Sequence, residues 1–206
     1  MTANEYLRFI VEQIHSTVVA TVDEDGLPVT CVIDMMYADE NGLYFLTAKG
    51  KNFYQRLKNK GYLALSGKSG EDTMNCTAIS VRGRVKEIGA EMLSTLFKHN
   101  RYMFEIYPTD ESRKALTVFQ IYEGSGEWFD LSKKPIERDS FTFGGAQSKV
   151  SGYYITEDCI GCGSCLGDCP QSCIDITGFK SVIRQENCLH CGNCAVICPE
   201  SAVVKR

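Results

Sequence analysis

No apolar run in the 206-residue chain approaches the length of a membrane span, so passage through a bilayer as a helix is not expected. The net charge is only −4, and nothing in that balance suggests nucleic acid or an anionic membrane as a general partner. No Gly-x-Gly-x-x-Gly follows a strand-like run, which leaves a Rossmann nucleotide site without support. No signal-peptide pattern opens the chain, so a reducing, cytoplasmic setting is expected. Histidine is scarce, and His15, His99 and His190 are scattered.

Cysteine is the opposite case, with eleven residues. Eight of them fall in two copies of one spacing: Cys159-x2-Cys162-x2-Cys165-x3-Cys169-Pro170 and Cys188-x2-Cys191-x2-Cys194-x3-Cys198-Pro199. A cubane 4Fe-4S cluster needs four thiolates around it. Three cysteines at every third position on a tight, Gly-containing loop wrap one side of it, and the fourth comes from elsewhere. Structural zinc sites normally use two pairs split by a longer loop and stop at four ligands. Two runs of four closed by proline do not fit that pattern, and disulfides do not suit a reducing compartment. The runs are an internal repeat: Ile155–Asp158 corresponds to Arg184–Asn187, Ile174 to Val203, and the ninth cysteine, Cys173, to Ala202. Cys173 is therefore expected to be a buried packing residue and not a ligand. His190, inside the second loop, could modulate that cluster or simply be exposed, and exposure is expected.

This segment resembles the bacterial ferredoxins, in which the fourth cysteine of each run ligates the cluster of the other run. The resemblance implies Cys159, Cys162, Cys165 and Cys198 for cluster 1, and Cys188, Cys191, Cys194 and Cys169 for cluster 2. The segment is too short to build much of an apolar core, so without iron and sulfide it is expected to be disordered. Exposed low-potential clusters are oxygen-labile, which suggests an anaerobic host.

The remainder reads differently. Thr2-x-x-Glu5 is a capping box before Tyr6, Phe9, Ile10 and Ile14 at helical spacing. Strand signals follow at Val18–Val22, Pro28–Tyr37, Leu43–Thr47, Tyr62–Ser66, Cys76–Ile88 and Leu116–Tyr122, with helices at Lys51–Lys60 and near Ala90–His99. From Ile79 to Val85 the alternation is clean: Ile79, Val81, Gly83 and Val85 share one face, and Ser80, Arg82 and Arg84 the other. Short antiparallel strands with a few helices indicate a mainly β chain with α (α+β), built as a small β-barrel. Three domain-level segments follow: a barrel at 1–143, a small, polar linker at 144–152, and the iron–sulfur domain at 153–206. Cys31 and Cys76 read as core thiols, and Trp128, Phe129, Phe141 and Phe143 as ordinary packing, the alternative being a cover over a bound cofactor or the domain junction.

The stretches Thr17–Thr30, Gly42–Phe53 and Ile79–Val85 resemble the pyridoxamine 5′-phosphate oxidase-like family of FMN-binding split barrels. That likeness implies a homodimer with FMN at the subunit interface. It places the phosphate near Leu46, Thr47, Lys49, Lys51 and Asn52, where a hydroxyl, two ammonium groups and helix-start amides could hold a dianion. The ring would lie along Val32, Ile33 and Asp34, and Arg82 either reaches the phosphate or faces solvent. The positions that grip pyridoxamine phosphate in the true oxidase are not carried over. The fusion implies an FMN-dependent iron–sulfur oxidoreductase acting on a small substrate or a redox partner protein. The alternatives are an electron carrier or redox-sensing module, or a barrel that binds deazaflavin or haem.

Overall fold

The computed structural model describes residues 1–148 and 151–206. Lys149 and Val150, within the expected linker, lie outside the described residues. The chain divides into two compact units: Met1–Ser69 with Ala78–Trp128 and Ser140–Gln147, and Gly70–Thr77 with Phe129–Asp139 and Ser148–Arg206.

In the first unit, helix α1 (Ala3–Phe9) begins with both capping-box bonds, Glu5 N–H to Thr2 Oγ1 at 3.3 Å and Thr2 N–H to Glu5 Oε2 at 2.6 Å. These satisfy end groups that a bare helix leaves unpaired. The chain then loosens into a π-helical turn, Ile10–Ile14, and leaves it through His15 at φ 62°. Tyr6, Leu7 and Ile10 are buried against the sheet. The following elements are β1 (Ser16–Val22), β2 (Pro28–Asp34), β3 (Tyr37–Asp39), β4 (Gly42–Ala48), α2 (Asn52–Lys60), β5 (Tyr62–Ser69), β6 (Thr77–Gly89), α3 (Leu93–His99), α4 (Met103–Ile106), α5 (Asp110–Arg113), β7 (Leu116–Asp130) and β8 (Glu137–Phe143). The strands form one sheet in the order β2-β1-β5-β6-β7-β4-β3, with β8 beside β7. This is a split barrel with β2 at an edge. On β6 the expected alternation holds: Ile79, Val81, Gly83 and Val85 are buried, while Ser80, Arg82 and Arg84 are exposed.

Two expectations need correction. The single strand Pro28–Tyr37 is broken after Asp34, because successive residues turn into different cores. Met35 packs in the main barrel cluster and Met36 in a second one with Tyr44, Leu96 and Phe97. The Met35 amide still donates along the β1 register, to His15 O, whereas the Met36 amide leaves it for Tyr44 O, each at 2.8 Å. The strand expected to end at Tyr122 instead runs to Asp130 and pairs with β8, which the pattern did not reveal. Gly124 and Gly126 lie within β7. A Cβ on Gly126 would stand 2.4 Å from Phe141 Cζ and 2.8 Å from Ser80 O. Close approach of an aromatic ring, and not chain reversal, accounts for that glycine. Phe141, with Trp128 and Phe143 partly buried beside it, is core packing as expected.

The second unit is a doubled motif. Strands β9 (Tyr153–Ile155) and β12 (Val203–Lys205) pair with each other, as do β10 (Ile174–Thr177) and β11 (Lys180–Ile183). Two short helices, α6 (Ser164–Gly167) and α7 (Asn193–Ile197), start from the equivalent glycines Gly163 (φ 75°) and Gly192 (φ 85°). Both need the left-handed region that glycine enters freely. The buried cluster is Cys165, Cys173, Ile174, Ile183, Cys188, Cys194 and Val203, so four of its seven members are thiols.

Candidate redox-cofactor sites

The repeat brings the eight motif cysteines into two rings. Cys159, Cys162, Cys165 and Cys198 line one cavity of about 20 Å³. Cys188, Cys191, Cys194 and Cys169 line a second of about 20 Å³. Each ring joins three cysteines of one run to the last cysteine of the other. Among the described residues, no group of three or more His, Cys, Asp or Glu is gathered as ligands of one ion. The four thiols of each ring line one cavity, and a polynuclear cluster needs thiolates placed around it.

Local amides already serve these sulfurs. Cys159 is held below the ordinary thiol range by the N–H groups of Ser181 and Gly161. Cys162 is lowered by the Ser164 hydroxyl and amide. At Cys169 burial pushes upward, but N–H groups from Cys173, Gln171 and Ser172 outweigh it. Hydrogen bonds to sulfur favour the thiolate a cluster needs.

The fourth cysteines keep the repeat symmetry. Cys173 N–H donates to Cys169 Sγ at 3.4 Å, and Ala202 N–H to Cys198 Sγ at 3.3 Å. Cys173 is buried as expected, but it also lines the second cavity, with its sulfur 3.4 Å from Cys169 Sγ. The expectation of an exposed His190 is corrected: it is half-buried, against Arg138 and the Tyr153 ring.

In the barrel the expected phosphate residues are not all brought to one place. Lys49 and Lys51 are exposed, and Leu46 is half-buried in the second core. Thr47 is buried at 3% exposure, and its hydroxyl has no hydrogen-bond partner. Its cross-strand neighbour Thr117 donates to Glu87 Oε1 at 2.7 Å, so the orphan is particular to Thr47. Helix α2 starts at Lys51 without a side-chain cap and with no acid in its first turn. Its N-terminal amides and dipole suit an anion. Lys49 borders a cleft of about 610 Å³ with Leu93, Phe97 and Lys98, whereas Asn52 borders a different one of about 640 Å³ with Arg56. Arg82 lies on the exposed face of β6.

Arg56 escaped the motif reading. It lies one turn beyond Asn52 on the same helix face, and its Nε donates to Thr21 Oγ1 at 2.8 Å. Burial raises the Cys31 thiol, and the charges of Arg56 and Lys51 oppose that rise. The spacing of Asn52 and Arg56 was the available signal.

On β2, Val32 is exposed, while Ile33 and Asp34 are half-buried. As β2 ends the sheet and, among the described residues, pairs only with β1, its outward backbone groups are available to a ring edge. Asp34 anchors a network that sequence did not reveal: Ser16 Oγ donates to Oδ1 at 2.5 Å, Tyr102 OH donates to Oδ2 at 2.6 Å, and His15 Nε2 stands 3.5 Å from Oδ2. Burial pushes the carboxyl up, but those hydroxyls and His15 hold it below its usual range. Tyr102 is raised by burial and by that carboxylate.

A split barrel joined to a doubled four-cysteine fold defines a class suited to redox or electron-transfer chemistry. The chain belongs to the pyridoxamine 5′-phosphate oxidase family, whose model matches residues 3–130. A 4Fe-4S dicluster domain matches residues 158–202. No curated protein matches it. Among solved structures it is similar to a NimC/NimA family protein from Clostridium acetobutylicum, at 15% identity and TM-score 0.57, covering 68% of this chain and 92% of the other. It is also similar to a heme binding protein from Mycobacterium smegmatis, at 13% identity and TM-score 0.54, covering 69% and 58%. A third is a general stress protein 26-related protein of Clostridium acetobutylicum, at 17% identity and TM-score 0.50, covering 67% and 94%. At these identities the likeness concerns the fold. No helix among the described residues is long and apolar enough to cross a membrane.

Proposed function

We propose that the chain is an FMN-dependent iron–sulfur oxidoreductase of the cytoplasm, suited to an anaerobic cell, with a flavin-binding barrel at 1–143, a linker at 144–152 and a two-cluster domain at 153–206. The observation that carries this reading is the pair of four-thiol cavities, each drawing on both cysteine runs. Cys159, Cys162, Cys165 and Cys198 would hold one 4Fe-4S cluster, and Cys188, Cys191, Cys194 and Cys169 the other. When bound, FMN supplies two-electron chemistry and the clusters supply one-electron chemistry, so one chain couples the two.

Part of the barrel's expected set suits the phosphate end of FMN. Thr47 would offer an unpartnered hydroxyl and α2 an uncapped N-terminus at Lys51, while Asn52 and Arg56 border one neighbouring cleft and Lys49 another, so the charge would come from one side or the other. Leu46 would pack beneath, and Arg82 would meet the flavin only from the outer face. The edge backbone at Val32 and Ile33 would orient the ring, with Asp34 held as a carboxylate at its end. Val18, Val32, Val22 and Tyr62 leave an apolar sheet face exposed, which supports a homodimer through the barrel. The reacting partner is a small oxidised or reduced molecule or a redox protein.

Anaerobic purification followed by iron, acid-labile sulfide and released-flavin analysis tests the reading. About eight irons and one FMN per chain support it. Eight irons without flavin overturn the FMN assignment, and a haem absorption band in their company would assign the barrel to haem. Light scattering of the same sample tests the dimer, and Val32→Lys is expected to yield monomers.

A further inference from the structure

The two thiol cavities are alike in sulfur and unlike in their surroundings. The first contains one charged lining residue, Glu200. The second contains no charged lining residue, and Cys173 occupies the position that Ala202 fills in the first. The Cys173 sulfur meets Cys169 Sγ at 3.4 Å.

The tip of the β7–β8 hairpin, Phe129–Asp139, belongs to the same compact unit and binds the loops of the second cavity. Ile136 N–H donates to Gln171 Oε1 at 2.8 Å, and Asn187 Nδ2 donates to Ile136 O at 3.1 Å. Arg138 donates to Cys188 O at 3.3 Å and lies against the His190 ring, while its guanidinium covers Phe129. Gln171, Asn187 and His190 flank ligands of the second set, and Cys188 is itself one of them.

We propose that Arg138 and Cys173 make the second site the higher-potential one, and that Glu200 makes the first the lower. The inference rests on the two-cluster reading above. Reduction adds negative charge to a cluster. A nearby cation and a thiol donor to a ligand sulfur stabilise that charge, whereas a carboxylate opposes it. Both differences act in the same direction.

The test is an anaerobic redox titration of the full-length holoprotein, followed by electron paramagnetic resonance, with iron counted in every sample. Wild type is expected to show two separate one-electron steps. Arg138→Gln and Cys173→Ala should each shift the higher step to lower potential, with Arg138→Lys restoring much of the first shift. A tenfold change in that one-electron equilibrium, about 59 mV, is the order expected for the lost charge. Glu200→Gln should raise only the lower step. If the Arg138 and Cys173 variants lose iron, Glu200→Gln decides the matter, because raising the higher step overturns the proposal. Coincident midpoints in wild type, or full-iron Arg138 and Cys173 variants with unmoved midpoints, also overturn it. Fewer than about eight irons in wild type would instead refute the two-cluster reading itself.

Discussion

The Tyr102 hydroxyl donates to Asp34 Oδ2 at 2.6 Å, although 68 residues separate them. With Ser16 Oγ on Oδ1 and His15 nearby, this bond keeps the carboxyl ionised despite its partial burial. The folded Asp34 carboxyl therefore takes up its proton at lower pH than the unfolded one. Its stabilising contribution is complete above the unfolded value, about 3.9, and is lost as pH falls through the lower folded value. Asp34→Asn should cost stability near neutrality, and that cost should shrink toward about pH 2. Urea unfolding across this range is the check, and a pH-independent difference would refute the linkage. Tyr102→Phe should raise the folded carboxyl's pKa and cost about 1 kcal/mol at neutral pH.

Thr47 makes opposite predictions with and without cofactor. Its hydroxyl is buried and unpaired, a condition that costs about 1–3 kcal/mol. Thr47→Val should leave the flavin-free protein as stable or more so, by up to about 1 kcal/mol. The same change should weaken FMN binding about tenfold, or about 1.4 kcal/mol. Thermal unfolding and fluorescence titration with FMN measure the two effects. Unchanged flavin affinity would remove Thr47 from the site.

Cross-ligation by the fourth cysteines is testable by pairing substitutions. Cys198→Ser and Cys162→Ser should each remove about half the iron, and the double variant no more than either alone. Cys198→Ser with Cys191→Ser should remove nearly all of it. If instead the second pair behaves as one site, each run ligates its own cluster.

Gly126→Ala would place a methyl group into Phe141 and the Ser80 carbonyl. Overpacking of this kind costs about 1–3 kcal/mol. Gly50→Ala is the control for space, since a Cβ there meets nothing within 4 Å and the backbone needs no left-handed conformation. Denaturant titration should show the Gly126 variant losing more stability; the reverse order would contradict the packing argument.

Several features were legible because they are local. Thr2 and Glu5 form their capping box within one turn, α2 stops at Gly61, and Ile79, Val81, Gly83 and Val85 mark the buried face of β6. Periodicity exposed these because the residues that interact are neighbours along an element. The break at Met35 and Met36 was not legible, since two adjacent methionines read as a continuing strand until each finds its own core. β8 was hidden because its strand partner carries two glycines whose close neighbours come from distant segments, Arg82 O and Phe143 for Gly124 and Phe141 and Ser80 O for Gly126.

The cysteine spacing and its repetition determined by themselves the chemistry at the C-terminal end, because three ligands on one tight loop are a local requirement. The successive short strands likewise determined a barrel. Only the tertiary structure decided which residues surround those elements. It placed Tyr102 and His15 on Asp34, Arg56 on Thr21, and Arg138 and Cys173 beside one set of thiols but not the other. Hydrogen bonds, burial and charge act through distances of a few ångströms, and contacts between distant segments leave no spacing in the chain from which they can be read.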